Sequence, residues 1–189
     1  QVVYVAIDAL VEDLYDNAIS ASSISFTVAD SIAPTIVFDP EDSESPVPVT
    51  DNITLTFSEA IRKIDNTTLT NTLVEALITL KDTDENGTDI DFSAIISIDK
   101  KIITIDPDSS FSSEQTVYVA IGATVEDYSD NAITASSIAF TAADSTAPSL
   151  DFTPADSATG IAINSDITIA FDEAIRKIDN SPIINTDVE

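Results

Sequence analysis

Hydrophobic and polar positions alternate with a period of two through most of this chain. Residues 53–57 read ITLTF and residues 116–121 read TVYVAI, each placing its apolar side chains on one face, as a half-buried strand requires. Segments 35–38, 77–81, 90–98, 102–105 and 136–142 follow the same rule, which predicts about seven strands between residues 32 and 145. The connections are polar: a Pro- and Ser-rich loop at 41–51, a turn at Asp99-Lys100 and a loop at 109–114. Residues 82–88 contain Asn86-Gly87, which favours a tight hairpin with 90–98 as the partner of 77–81. The alternation breaks at 58–66, where Ser58 stands before good helix formers and predicts one helical turn. Residues 70–76 leave helix and strand both open. Short strands with almost no helix predict an all-β fold, a sandwich of about immunoglobulin size.

The pattern also repeats. Residues 1–75 align without a gap on 115–189 at an offset of about 114, with about 44 identical positions. Tyr4 matches Tyr118, Phe26 matches Phe140, Phe38 matches Phe152 and Phe57 matches Phe171, while EAIRKIDN stands at both 59–66 and 173–180. An acidic loop, VEDLYDNAI at 11–19 and VEDYSDNAI at 125–133, is followed each time by a strand and an Ala-Pro linker. A period of this length suits one sandwich and exceeds the roughly 20–50 residues of solenoid repeats. The expected organisation is therefore the C-terminal part of one repeat (1–31), a complete repeat (32–145) and the N-terminal part of a third (146–189). Because the chain opens within a strand, it is expected to be a segment of something longer. The recurring phenylalanines are predicted core positions; Phe92 and Phe111 lie in the span seen once. Tyr4 and Tyr118 are expected to be buried framework tyrosines.

Taken in order, Ala33-Pro34 followed by Pro40, ITLTFSEA at 53–60, TVYVAI at 116–121, DYSDNA at 127–132 and a final Phe140-Thr141 resemble the bacterial Ig-like domain of the S-layer-protein (SbsA) type. That resemblance covers the complete repeat and both partial ones. It implies tandem immunoglobulin-like β-sandwiches, of the kind strung along large secreted adhesins and surface-layer proteins, and a spacer, stalk or assembly role. The chain departs from the family at Asp130, where a Gly often precedes the Asn.

Composition narrows the possible chemistry. The 189 residues carry 34 acids and 7 bases, for a formal charge of −27. Such a surface repels nucleic acid and anionic membranes, suits cations and favours solubility. No apolar run approaches the roughly 20 residues of a membrane span, so no membrane insertion is expected in this segment. Cys, His, Met and Trp are absent, which removes disulfides, Cys/His zinc sites, the commonest general base and the thiol nucleophile. No Gly-x-Ser-x-Gly elbow is present, and near-duplicate acids in each repeat point to structure, so no enzyme is expected.

Acidic clusters are the remaining candidates. In a sandwich, the incoming linker and the loops after the second strand and before the last share one pole. This predicts that Asp30, Glu59, Asp65, Glu126, Asp127 and Asp130 gather there, and that Asp144, Glu173 and Asp179 repeat the arrangement at the next junction. Calcium takes roughly 6–8 oxygen ligands from flexible loops and would relieve the repulsion. The other reading of these residues is a solvated acidic pole partly countered by Arg62 and Lys63. Asp82, Asp84 and Asn86 copy the first half of an EF-hand loop, but Ser93 stands where the closing Glu belongs, and a hairpin turn with an acidic rim is the competing reading. Asn52, Asn66 and Asn86 each begin an Asn-x-Thr sequon, of consequence only in an N-glycosylating source.

The function expected is structural: an extracellular cell-surface protein forming a rod-like stalk or a self-assembled filament. Its partners would be adjacent repeats and other copies of the chain. The alternative is a carbohydrate- or protein-binding adhesin module.

Overall fold

The computed structural model describes residues 1–184. They fall into two compact units, Gln1–Ala143 and the described part of Asp144–Glu189. The strands in chain order are β1 (Val2–Ile7), β2 (Ser22–Thr27), β3 (Ile36–Asp39), β4 (Ile53–Phe57) and β5 (Arg62–Lys63). A short helix, α1 (Asn71–Glu75), precedes β6 (Ile78–Asp82), β7 (Phe92–Ile96), β8 (Ile102–Pro107), β9 (Thr116–Ile121), β10 (Val125–Glu126) and β11 (Ser136–Thr141). The second unit holds β12 (Leu150–Thr153) and β13 (Thr168–Phe171).

Seven of these strands form a sandwich, with β3-β4-β8-β7 in one sheet and β11-β9-β6 in the other. This is the strand arrangement of a constant-type immunoglobulin domain. Alternation decides which side chains enter the core. In β9, Val117, Val119 and Ile121 point inward; in β4, Ile53, Leu55 and Phe57 do so. Phe140 lies edge-on to Phe111 with ring centroids 5.6 Å apart, which places Phe111, unjudged by repeat comparison, in the core. Tyr118 corrects an expectation. It occupies the outward register of β9 and is half-buried, while Tyr4 is exposed.

Three other local expectations change for identifiable reasons. Residues 58–61 form no helical turn, because the N–H groups of Ser58 and Ile61 bond to the carbonyls of Thr35 and Lys100 on neighbouring segments. Residues 70–76 resolve as α1, started by the Val74 N–H to Thr70 carbonyl bond and seated by buried Val74. β6 and β7 are not hairpin partners. β6 pairs with β9 and β7 with β8, so the 83–91 connection crosses between sheets, after a short return beside β6 at the Lys81–Asp89 bridge, with the Ile90 N–H bonded to the Leu80 carbonyl and the Asp82 N–H to the Thr88 carbonyl. Within that connection Gly87 is required by space, since a Cβ there would overlap the Asp82 carbonyl.

The sheet edges are attended to individually. Helix α1 lies along β7, and its Asn71 and Glu75 side chains accept hydrogen bonds from the N–H groups of Ile96 (3.1 Å) and Ala94 (3.2 Å). Residues 42–47 run beside β11 in parallel, with a Val47–Ala142 bridge. β3 is four residues long and lies between Pro34 and Pro40.

The β1–β2 hairpin has the same register as β9–β11, and β12–β13 the same register as β3–β4, but their apolar faces are exposed. Phe26 is 51% exposed where its counterpart Phe140 is 1% exposed, and Phe152 and Phe171 are likewise exposed where Phe38 and Phe57 are buried. In this chain a core role therefore holds for one member of each recurring pair. Phe140→Ala is expected to cost about 3–5 kcal/mol in urea denaturation, and Phe26→Ala within about 0.5 kcal/mol of nothing.

Candidate functional site

The acidic loop at 125–133 is built by its own carboxylate. Asp127 Oδ1 accepts the N–H groups of Ser129 (2.7 Å) and Asn131 (2.8 Å), and its Oδ2 accepts Asn131 Nδ2 (2.7 Å). The Asp127 N–H returns a bond to the Asn131 carbonyl at 3.1 Å. Asp130 closes the turn in the left-handed region, at φ 68°. The loop at 11–19 repeats this geometry. Asp13 accepts from Tyr15 and Asn17, and Asp16 has φ 64°. An Asp four residues before an Asn thus folds its own loop, because the ionised carboxylate satisfies backbone donors that would otherwise be unpaired.

Arg62 joins this loop to the 58–66 segment. β5 pairs with β10, setting Arg62 opposite Glu126. The Arg62 Nε donates to Glu126 Oε1 at 3.1 Å, and its Nη2 to Asp130 Oδ1 at 2.6 Å. The guanidinium lies 5.3 Å from the centre of the Tyr128 ring. Glu126 is 4% exposed, so this is a mostly desolvated ion pair, and a forked guanidinium suits it better than an ammonium.

With the two segments held together, Asp30, Glu59 and Asp127 each bring a carboxylate oxygen within 4.8 Å of the others. Asp30 comes from the incoming linker, whose carbonyl also accepts Asn131 Nδ2 at 3.3 Å. The electrostatics differ among the three. Burial, then the charges of Asp127 and Asp30, push the Glu59 carboxyl above its usual range, with Lys101 opposing. Burial also acts to raise Asp127, but the bonds from Asn131 and Ser129 and the charge of Arg62 outweigh it and hold Asp127 low.

Of the six acids expected at this pole, three therefore face one another. The others have different partners: Glu126 and Asp130 pair with Arg62, while Asp65 pairs with Lys63 (3.1 Å) and accepts the Thr67 N–H (3.0 Å). The bonds from Thr67 and Lys63 pull Asp65 down to about 2. At the next junction, Asp144 accepts the Thr146 N–H, and Asp179 accepts both the N–H and the hydroxyl of Ser181. Asp144, Glu173 and Asp179 do not converge as the first trio does, and among the described residues that grouping occurs at Asp30, Glu59 and Asp127 alone.

In the EF-hand-like stretch the acids accept backbone donors of their own turn. Asp82 accepts the Thr88 N–H, and Asp84 accepts the Asn86 N–H, so each acid shapes the turn. Asn52, Asn66 and Asn86 are all exposed.

A profile of the bacterial Ig-like domain matches residues 30–142. The chain belongs to that family. The matched span begins at Asp30 and ends at Ala142, so it takes in every residue of the acidic trio and all seven sandwich strands of this Ig-like domain. Among solved structures, the chain is similar to CopC from Methylosinus trichosporium OB3b, at 16% identity over 60% of this chain and 97% of that one, with a TM-score of 0.40. It is also similar to the LD transpeptidase LdtMt1 in complex with imipenem, at 15% identity over 63% of this chain and 42% of that one, with a TM-score of 0.35. The chain thus spans less than half of the transpeptidase. No curated protein matches it. No helix among the described residues is long and apolar enough to cross a membrane. Asp130, just before Asn131, has a left-handed backbone, a conformation that favours Gly or a short polar side chain.

What sequence reading missed is the division of labour. Arg62 was legible as counter-charge, but its fork between Glu126 and Asp130 depends on the β5–β10 pairing, which two-residue strands do not announce. The acidic trio yields a pH signature. A carboxyl raised in the fold stabilises the protein below its unfolded value of 4.5, and that contribution is lost as pH rises through the folded value. Asp127 and Asp65 have the opposite sign: their contributions are present above 3.8 and are lost as pH falls through their folded values, for Asp65 about 2. In chelator, Glu59→Gln is therefore expected to melt above the parent at neutral pH and to match it below the unfolded value of 4.5. Circular-dichroism melts across that range check this, and a variant melting lower at neutral pH contradicts it.

Proposed function

We propose that this chain is a non-catalytic structural segment of an extracellular prokaryotic surface protein. Successive Ig-like sandwiches are strung in tandem into a rod-like stalk or surface filament, and calcium stiffens the point where the linker meets the domain pole. Membership in the bacterial Ig-like family supports the structural role. The observation that carries the calcium reading is the approach of Asp30, a linker residue, to Glu59 and Asp127 of the sandwich. Three carboxylates from three separate segments offer hard oxygen donors, which suit calcium, with the remaining positions open to water. The cation would offset the burial of Glu59 and its repulsion by Asp127 and Asp30, which together keep it high, and it would fix the linker to the pole through Asp30.

Adding calcium to the chelated protein is expected to raise its melting temperature and give a saturable calorimetric heat. Asp127→Asn and Glu59→Gln should both lose the heat and the shift, while Asp84→Asn keeps them. No heat and no shift in the parent would remove calcium from the reading. Labelling of intact cells with an antibody to the chain tests surface display, and signal found only after lysis would overturn it.

A further inference from the structure

The pairing of residues 42–47 with β11 does more than cover a sheet edge. We propose that it is a mechanical clamp, the element that carries tension applied through the two ends of the sandwich. Five hydrogen bonds join the two segments. Ser43 N–H donates to the Ala139 carbonyl (2.6 Å), Thr141 N–H to Glu44 (2.9 Å), Val47 N–H to Thr141 (3.0 Å) and Ala143 N–H to Val47 (2.6 Å). The fifth runs from the Ala139 N–H to the Asp42 carboxylate at 3.0 Å. Val47 and Ala142, the bridged pair at the far end of the contact, are both buried, while residues 42–46 are exposed.

The direction of the pairing decides its mechanics. The chain enters the sandwich just ahead of 42–47, through β3, and leaves it at Ala143, directly after β11. Because the bridge is parallel, the entering end of one segment and the leaving end of the other lie at opposite poles. Tension therefore slides the two segments along their axes and loads all five bonds together. Terminal segments paired antiparallel would have these ends at the same pole and would peel apart one bond at a time. No other pairing in the sandwich joins the first part of the domain directly to its last strand. The clamp deepens the spacer reading above by giving the sandwich a load path.

The test is single-molecule pulling on the full chain, with handles on Ser31→Cys and Thr146→Cys; the chain has no cysteine of its own to interfere. Ala143→Pro deletes one clamp donor and leaves the β9–β11 ladder untouched. Asp42→Ala deletes the carboxylate acceptor at an exposed position and serves if the proline variant fails to fold. Asn71→Ala deletes a bond at the β7 edge, away from the clamp. Forced unfolding reports the unfolding barrier, so Ala143→Pro is expected to lower the rupture force by roughly twofold and Asp42→Ala by less. Asn71→Ala should lower the melting temperature without lowering the rupture force. Rupture forces that follow melting temperature across all three variants, or that ignore Ala143→Pro and Asp42→Ala, overturn the clamp. Surface labelling is independent of this outcome. A displayed protein without the clamp keeps the spacer reading, and a clamp in a protein that is not displayed removes that reading alone.

Discussion

One guanidinium determines the shape of the acidic pole. The chain has 7 bases against 34 acids, and Arg62 is placed where a single cation reaches two acids of one loop and the ring of Tyr128. Its partner Glu126 is buried, and a buried carboxylate left alone costs roughly 3–5 kcal/mol. The 58–66 segment and the 125–133 loop are therefore held together, and the meeting of Glu59 with Asp127 follows from that. Arg62 also acts on the trio itself, since its charge helps to hold Asp127 low.

Backbone amides supply the rest of the compensation. Asp13, Asp65, Asp127, Asp172 and Asp179 each accept N–H groups from their own turns or a neighbouring strand end, and each is held below the usual carboxylate range. In this way an acidic composition becomes turn geometry. Left-handed positions include Asp16, Asn66, Asp130 and Asn180, residue types that tolerate positive φ because their short polar side chains bond locally, alongside Ser43, Thr83, Lys100, Glu114 and Ser157. A strongly negative chain can fold this way because most of its charge either faces water or caps a turn.

The strands were legible because alternation reports burial directly. TVYVAI and ITLTF gave both their extent and their inward faces, and the convergence of the linker with two loops followed from sandwich topology. Pairing was less legible. Nothing in residues 77–98 says that β6 and β7 belong to different sheets, since an Asn-Gly turn between apolar runs serves a hairpin equally well. Helix α1 was ambiguous because five residues carry too little periodicity. Repeat matching identified Phe26 and Phe140 as equivalent, but equivalence in sequence does not carry burial: one ring is half exposed and the other lies in the core. The six acids of the pole were alike in sequence. Only the positions of Arg62, Lys63 and the local N–H groups separate the three that face one another from the three that do not.

The treatment of the sheet edges has a consequence for crowding. Side chains of α1 occupy the N–H groups of β7, residues 42–47 occupy β11, residues 89–90 bond along part of β6, and β3 is short and set between prolines. Open edges are where folded β-proteins recruit one another sideways. A sandwich closed in this manner can stand beside identical neighbours at high concentration without its sheets fusing into theirs.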